Sequence, residues 1–577
     1  MSDDSVLWLL GDQLNPDLDA LSDADAVLLI EAHGFADRKP YHAHKLTLVF
    51  SAMRHFRDRL RDRGHDVTYL RAESFGDGLD RFFGEEFAGA PGDADLRLMR
   101  PASHGAGDRF RELVAERGGS LELLDNELFW TTPADWHEWA GEPDGEAAGL
   151  IVGEDGSADR RYRQENWYRH VRRETGVLMD GDEPVGGEWN YDDLNRETPP
   201  DDWEPPERPR FDPDDLTRET HAWVRERFDT WGSDSLDGFA WPVTRGEARA
   251  ALDAFVRDRL PSFGRYEDAM VEGEPFLSHS LLSPAINLGL LNPREPVRAV
   301  EVAYEDRGVE PGAYDPEEDG GIDPNATPLD DFGSGRERAE DDRDSPADRD
   351  SAADADRDPA PVPLNAAEGF VRQVLGWREF TRHVYREAMP ALAAANRLEQ
   401  SADLPPAYWD GDTDMRCLSE AVGHVREHGY AHHVERLMVL SNVALLYGTD
   451  PAELNEWFHL GFVDAYHWVT TPNVVAMGSF GTDVLSSKPY AASGSYVNRM
   501  SDYCASCPYA VSRTTGEGAC PLNALYWDFL AENEEMLRGT GRMGLMYSHL
   551  DDKSDSELAA IRDRASAVRK LAADGEL

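Results

Sequence analysis

Residues 503–521 read YCASCPYAVSRTTGEGACP and hold Cys504, Cys507 and Cys520; with Cys417, far upstream, these are the chain's four cysteines. A CxxC pair, a Cys-Pro and one distant cysteine bring soft thiolates from separate segments, which is the form of an iron-sulfur ligand set. A zinc ion held by four thiolates uses the same donors, so spacing leaves both open. Two disulfides fit less well, because nothing marks the chain as secreted.

Working outward, the surrounding sequence is helical and aromatic from residue 364 to the end: AAEGFVRQVLGWREFTRHVYR, CLSEAVGHVREHG, HHVERLMVLSNVALLYG and PAELNEWFHLGFVDAYHWVTTPNVVAMG. Cys417 heads one of these helices and the other three cysteines lie in a closing loop. Residues 5–125 follow another rhythm. SVLWLL, AVLLI, DVTYL, LRLMR and LELLD are short apolar runs separated by amphipathic stretches, which reads as βαβ units and a parallel sheet. Ligands of such sheets sit at the strands' carboxyl ends, where Gly11, Asp12 and Gln13 follow the first strand; an ordinary loop has the same pattern. Residues 126–217 are rich in Gly, Pro and Asp and read as a connector over the surface. Helical periodicity resumes near 218, and FLSHSLLSPAINLGLL sets Ser and His before an apolar helix, where N–H groups and hydroxyls suit phosphate as well as plain capping. The Asp-, Arg- and Pro-rich run 305–360 has almost no apolar content and reads as a disordered acidic insertion.

The chain of 577 residues carries 58 Lys+Arg against 112 Asp+Glu, a net charge of -54. Acid spread along the whole length is what a protein in a high-salt cytoplasm uses to stay hydrated. The short Debye length there leaves close contacts intact, so a local Arg-lined cleft for nucleic acid remains compatible with the charge. No run is long enough to span a membrane, and the acidic N-terminus has no signal-peptide form. A cytoplasmic, monomeric protein that does not engage membranes is expected.

LGDQL, FSAMRHF, HSLLSPAINLGLL, PLNAAEGFVRQVLGWREF, AHHVERLMVLSNVALL, SKPYAASGSYVNRMSDYC and CPLNALYWDFL, in this order, resemble the iron-sulfur branch of the photolyase and cryptochrome family, the prokaryotic (6-4) photolyases. The resemblance implies a Rossmann-like α/β antenna domain (1–125), a linker (126–217), and an all-α FAD-binding domain (218–577) interrupted at 305–360. It implies a [4Fe-4S] cluster on Cys417, Cys504, Cys507 and Cys520; with the flavin and histidine motifs placed around these cysteines, a structural clamp is the better reading of its role. The implied activity is light-driven reversal of (6-4) pyrimidine photoproducts in UV-damaged DNA; the alternative is a cryptochrome-type blue-light receptor without repair.

Carried over residue by residue, the resemblance makes His433, of the pair His432–His433, the acid that protonates the lesion. Tyr490 and Tyr496 become lesion-side phenols. Ser280, Leu281, Leu282, Ser283, Trp377, Arg378, Arg436, Asn442, Asp464 and Asn473 become FAD contacts, and Trp457 and Trp409 electron-transfer stations. Phe458 departs from relatives that carry tyrosine there, so the electron route runs through fewer or different stations. Gly11, Asp12 and Gln13 match a 6,7-dimethyl-8-ribityllumazine pocket, but Phe35 and Arg38 stand where Glu and Tyr are expected, leaving another chromophore or an empty pocket open.

Overall fold

A computed structural model describes residues 5–87, 95–141, 151–153, 155–200, 202–313, 360–540 and 543–577. The five apolar runs form the strands β1 (Ser5–Leu9), β2 (Ala26–Ala32), β3 (Asp66–Ala72), β4 (Asp95–Met99) and β5 (Ser120–Leu124). All pair in parallel, in the order β3-β2-β1-β4-β5. Their Val, Leu and Ile side chains fill both faces, as expected of a parallel sheet covered by helices on each side. One face packs on the long helix Ala43–Asp62, the other on Phe75, Phe82, Phe110 and Val114.

The strand order reverses between β1 and β4, and the crevice there is closed by Gln13. Its Oε1 accepts from Leu10 N at 3.2 Å and its Nε2 donates to Met99 O at 2.9 Å, at the end of β4. Leu14 N then donates to Leu288 O at 2.9 Å, tying the loop to the helical part of the chain.

At the end of β2, Glu31 is fully buried against Arg54, whose Nε and Nη2 lie 3.0 and 2.7 Å from its oxygens, with His33 at 2.9 Å and the Tyr69 hydroxyl also on it. Burial opposes its charge, yet these donors outweigh burial and hold its pKa down to about 2. Arg54 also donates to Thr220 at 2.9 Å. The sheet is thereby fastened to the helix Asp215–Arg227.

Two sequence readings change here. The stretch 126–217 is more than a surface connector. It supplies the helices Pro133–Ala140 and Gln164–Thr175, whose Trp136 and Trp167 are fully buried. Trp136 stacks on His383 at 5.0 Å. The Pro- and Gly-rich composition hides this because a few aromatic anchors carry the burial. The insertion begins later than 305: the helix Arg294–Arg307 runs past that point, and Gly308–Val309 pairs in parallel with Val362–Pro363. Residues 314–359 lie outside the described residues. Among the described residues no helix is long and apolar enough to cross a membrane.

Candidate functional site

The helical part encloses a cavity of about 900 Å³, ample for a dinucleotide-sized ligand. Three wall segments, Arg372–Arg378, Glu435–Ser441 and Pro472–Gly478, are π-helical. Each sits inside or at the end of a longer helix, and each turns side chains such as Trp377, Arg436 and Asn473 into the cavity. The wider turn re-aims side chains without ending the helix, which is why such turns gather at functional sites. A fourth wall is Ser280–Ser283, where Leu281 holds φ +58°, a left-handed conformation costly for a branched residue.

Most of the residues singled out in the sequence line this one space: Ser280, Leu281, Ser283, Trp377, Arg378, Arg436, Asp464, Asn473, His433, Tyr490 and Tyr496. Leu282 sits behind them in the core. Asp464 is the electrostatic hub. It is buried and takes a bidentate pair from Arg436 (3.1 and 3.0 Å), and the Ser283 hydroxyl donates to it at 2.6 Å. Asn287 holds its backbone carbonyl at 2.9 Å. Burial opposes the charge on Asp464, but Arg436 outweighs it and keeps the pKa below the usual carboxylate value. Lys45, donating to Ala465 O at 2.8 Å, lies close by; burial pushes its pKa down to about 7.

At the mouth stands His433, nearly half exposed, with Nε2 3.6 Å from Asp268 Oδ1. Burial disfavours its charged form, but Asp268, with Glu267 behind it, outweighs burial and raises its pKa above the ordinary histidine value. His432 differs. It is buried, stacked on His279 at 4.7 Å with 15° between the rings, and its Nε2 lies 3.5 Å from Glu435. Burial, then His279, drives its pKa well down. Ligand atoms of His279, His432 and His433 approach within 4.8 Å of one another. Tyr496, on the same wall, has its pKa pushed up to about 12 by burial.

The structure gives Asn442 a different task from the one expected. It does not line the cavity; its amide donates to Ala492 O and accepts from Ala492 N, both at 2.9 Å. It thereby anchors the segment carrying Tyr490 and Tyr496. Trp457 is fully buried behind Phe458 and Phe462, which do line the cavity, and Trp409 is 38% exposed. Gly11 packs on Met53. Asp12 is buried enough to raise its pKa to about 6.

Asp268, Glu267, Arg372, Arg196, Arg499 and Lys488 also line the space and escaped the sequence reading. Arg372 stands in the quoted FVRQVLGWREF run and was within reach; SFGRYEDAM, with Glu267 and Asp268, has no pattern that marks it. Six cationic side chains (Arg196, Arg372, Arg378, Arg436, Lys488, Arg499) face five acidic ones (Glu165, Asp192, Glu267, Asp268, Asp464) around the cavity. Over the whole chain the ratio is 58 to 112, so the cavity lining is far less acidic than the chain as a whole, which removes an electrostatic obstacle to a polyanion.

The four cysteines converge at a second, smaller site. Cys417 opens the helix Arg416–His428, Cys504 lies in the short helix Tyr503–Ser506, and Cys520 caps the helix Pro521–Glu532. All four line one pocket as free thiols. A Cβ on Gly494 would come within 2.7 Å of the Cys520 sulfur, so only glycine leaves room there. Burial, then the neighbouring sulfurs, raises the thiol pKa of Cys417 far up and that of Cys504 to about 11. Such a set becomes tetrathiolate only around a shared cationic centre, and the donors fit one. Tyr503, next to Cys504, donates at 2.9 Å to Glu435, which also meets His424 at 2.9 Å and faces His432. A buried polar chain thus joins the cysteine site to the histidine pair.

The family of deoxyribodipyrimidine photo-lyase-related proteins matches residues 7–241. A (6-4) photolyase of Agrobacterium fabrum is 35% identical over 575 residues, covering 98% of this chain and 99% of that protein. Among solved structures, a bacterial class III photolyase from Agrobacterium tumefaciens aligns with TM-score 0.52 at 13% identity, over 99% of this chain and 96% of that one. A Synechocystis cryptochrome aligns with TM-score 0.54 at 11% identity, over 98% and 99%. These two speak for the fold, whereas the full-length sequence match speaks for kinship: the chain belongs to the photolyase family, in the photolyase-related branch that includes the Agrobacterium fabrum (6-4) photolyase.

Proposed function

We propose that the protein is a DNA lyase that uses light to reverse (6-4) pyrimidine photoproducts in UV-damaged DNA. The observation that carries this reading is His433 at the cavity mouth, held 3.6 Å from Asp268 on the same wall set as Tyr490 and Tyr496, in a chain 35% identical over its length to a (6-4) photolyase. FAD, which the family implies, would occupy the cavity and supply light-driven one-electron transfer to the lesion and back.

The chain's own residues do the rest. Ser280 and Ser283 offer hydroxyls, and Arg378 and Arg436 positive charge, to the phosphate and ribose end. Trp377, Leu437, Met438 and Trp468 supply the apolar walls that exclude water from the ring system. Asp464 fixes Arg436 in place. His433, protonated because Asp268 favours its charge, donates a proton to the flipped-out lesion, and Tyr490 and Tyr496 orient it by their hydroxyls. Lining cations such as Lys488 and Arg499 orient the phosphate backbone, while the inserted lesion carries the affinity.

The four cysteines are assigned a [4Fe-4S] cluster with a structural task, clamping the Cys417 helix to the closing loop. The antenna is a ribityllumazine near Gly11 and Asp12; Gln13 is already spent on closing the sheet crevice. The acid excess fits a high-salt cytoplasm, in which the protein works as a monomer.

Illuminating the reduced protein with oligonucleotides bearing a (6-4) product or a cyclobutane dimer tests the assignment. Repair of the (6-4) product alone is expected, lost in His433→Ala. Repair of neither lesion defeats the enzyme reading, and full repair by the variant defeats the assigned acid.

A further inference from the structure

Beneath the histidine pair the carboxylate of Glu435 is fully buried, and its two oxygens are used differently. Oε1 meets two donors, the Tyr503 hydroxyl and His424 Nδ1, each at 2.9 Å. Oε2 finds no other hydrogen-bond partner among the described residues and faces His432 Nε2 at 3.5 Å, a separation of the kind that tightens once a site is filled. The three partners come from separate segments. His424 sits on the helix Arg416–His428, Tyr503 on the short helix Tyr503–Ser506, and His432 just before the π-helical segment that Glu435 opens. All four side chains are buried, so bulk water does not compete for these contacts.

A buried carboxylate is tolerated when its charge is answered, and here the answer comes on the Oε1 side. Burial disfavours the charged form of His424, but Glu435 outweighs it, with Glu420 3.8 Å from the other ring nitrogen, and the His424 pKa is raised. With that charge matched, what Oε2 offers His432 is chiefly an acceptor of fixed direction.

We propose that Glu435 is a positioning residue for the lesion acid: it holds His432 as the tautomer protonated on Nε2, which leaves Nδ1 a bare acceptor beside His279 and His433. This rests on the reading of His433 as that acid. A carboxylate on one ring nitrogen of a histidine decides which nitrogen keeps a lone pair. His432 Nδ1 is buried and has no partner among the described residues, and the three imidazoles are packed together, His432 4.7 Å from His279 and His279 5.2 Å from His433 between ring centroids. An acceptor in that packing favours a protonated His433, whereas an N–H there opposes it. His433 thus answers to two acceptors, the Asp268 carboxylate and the His432 imidazole, and the second is set by a residue that touches neither lesion nor flavin.

The test exchanges one atom. In Glu435→Gln the amide oxygen is retained by the two donors, Tyr503 and His424, so the amide NH2 is turned to His432 Nε2 and forces the ring proton onto Nδ1. The full chain, loaded with flavin and with its iron content checked, is labelled with 15N-histidine. Two-bond N–H correlations then report which nitrogen carries the proton, the His432 signals being those missing from a His432→Asn chain. Nε2–H is expected in wild type and Nδ1–H in Glu435→Gln. In the same variant the alkaline edge of the (6-4) repair rate should move to lower pH, with the rate at neutral pH down roughly tenfold or more, at unchanged flavin and iron content. An inverted tautomer with an unmoved edge would overturn the link to the acid. Should Glu435→Gln fail to fold, the wild-type spectrum decides: His432 protonated on Nδ1 refutes the proposal outright. Full repair by His433→Ala defeats the acid reading instead, whichever tautomer His432 shows.

Discussion

Neutralising Asp464 tests the electrostatic core of the large cavity. In wild type the closest Arg436–Asp464 contact is 3.0 Å, an attraction of ~1.4 kcal/mol at the dielectric of water and ~5.5 kcal/mol at an effective value of about 20. Asp464 is buried whereas a quarter of the Arg436 side chain is exposed, so loss of each partner has a different cost. Asp464→Asn leaves Arg436 its bond to Ala431 O at 2.6 Å and its stacking over Phe462 at 4.3 Å. Its expected cost is about 2–3 kcal/mol, below the usual range for a stranded buried charge. Arg436→Met strands the buried carboxylate itself, with only Ser283 and the nearby Lys45 to answer it, and should cost about 3–5 kcal/mol. The double variant strands nothing and should cost less than the sum of the singles by at least about 1 kcal/mol. Urea unfolding in concentrated KCl, followed by circular dichroism and tryptophan fluorescence with coincident transitions, measures all four proteins. The pH dependence supplies a sign. The folded pKa of Asp464 lies below the ordinary aspartate value, because Arg436 outweighs burial. Its contribution is therefore fully present above that value and is lost as pH falls through the folded pKa, so wild type and Asp464→Asn converge in acid. Additive costs, or a pH-independent difference, would refute the reasoning.

Asp268→Asn removes the carboxylate that raises the His433 pKa. Because the acid must be protonated, repair declines as pH rises through that pKa, and the alkaline edge of the (6-4) repair rate should move to lower pH in the variant; an unmoved edge separates Asp268 from the acid. Asn442→Ala deletes both bonds to Ala492 and leaves two buried backbone groups unpaired, at about 1–3 kcal/mol each; the variant should lose lesion affinity in a binding titration more than flavin affinity. Cys417→Ser should lower the yield of folded, soluble protein and its iron content together, since metal binding and folding are coupled; soluble variant with full iron counts against the clamp. DNA binding measured across molar KCl should show a shallow salt slope, with lesion insertion carrying the affinity; a steep slope would place it on phosphate contacts instead.

What the sequence made legible, and what it did not, follows from the range of the interactions concerned. The parallel sheet was readable because each strand announces itself in a short run dominated by Val, Leu and Ile and bounded by polar turns. The four cysteines were readable because thiols are rare here and metal ligation needs them in a set. Trp136 was not, since tryptophans in a polar stretch say nothing about their distant neighbours until the chain folds. Asp268 was missed for the same reason: its effect on His433 is one carboxylate at 3.6 Å, reached from a segment far away in sequence. Asn442 was misassigned in role, because a family motif fixes where a residue stands but not which backbone its amide satisfies.

The π-helical turns carry the same point into mechanism. Arg372–Arg378, Glu435–Ser441 and Pro472–Gly478 look in the sequence like ordinary stretches of amphipathic helix, and in each the side chains aimed at the cavity depend on one extra residue in the turn. Periodicity of 3.6 therefore predicts the helices but misplaces the angles at which Arg436 and Asn473 project. The departure is affordable only because the rest of each helix is anchored in a dense core, as Val439, Leu440 and Val443 are. Regular structure supplies the rigidity, and the irregular turns and the left-handed Leu281 are where that rigidity is converted into a site.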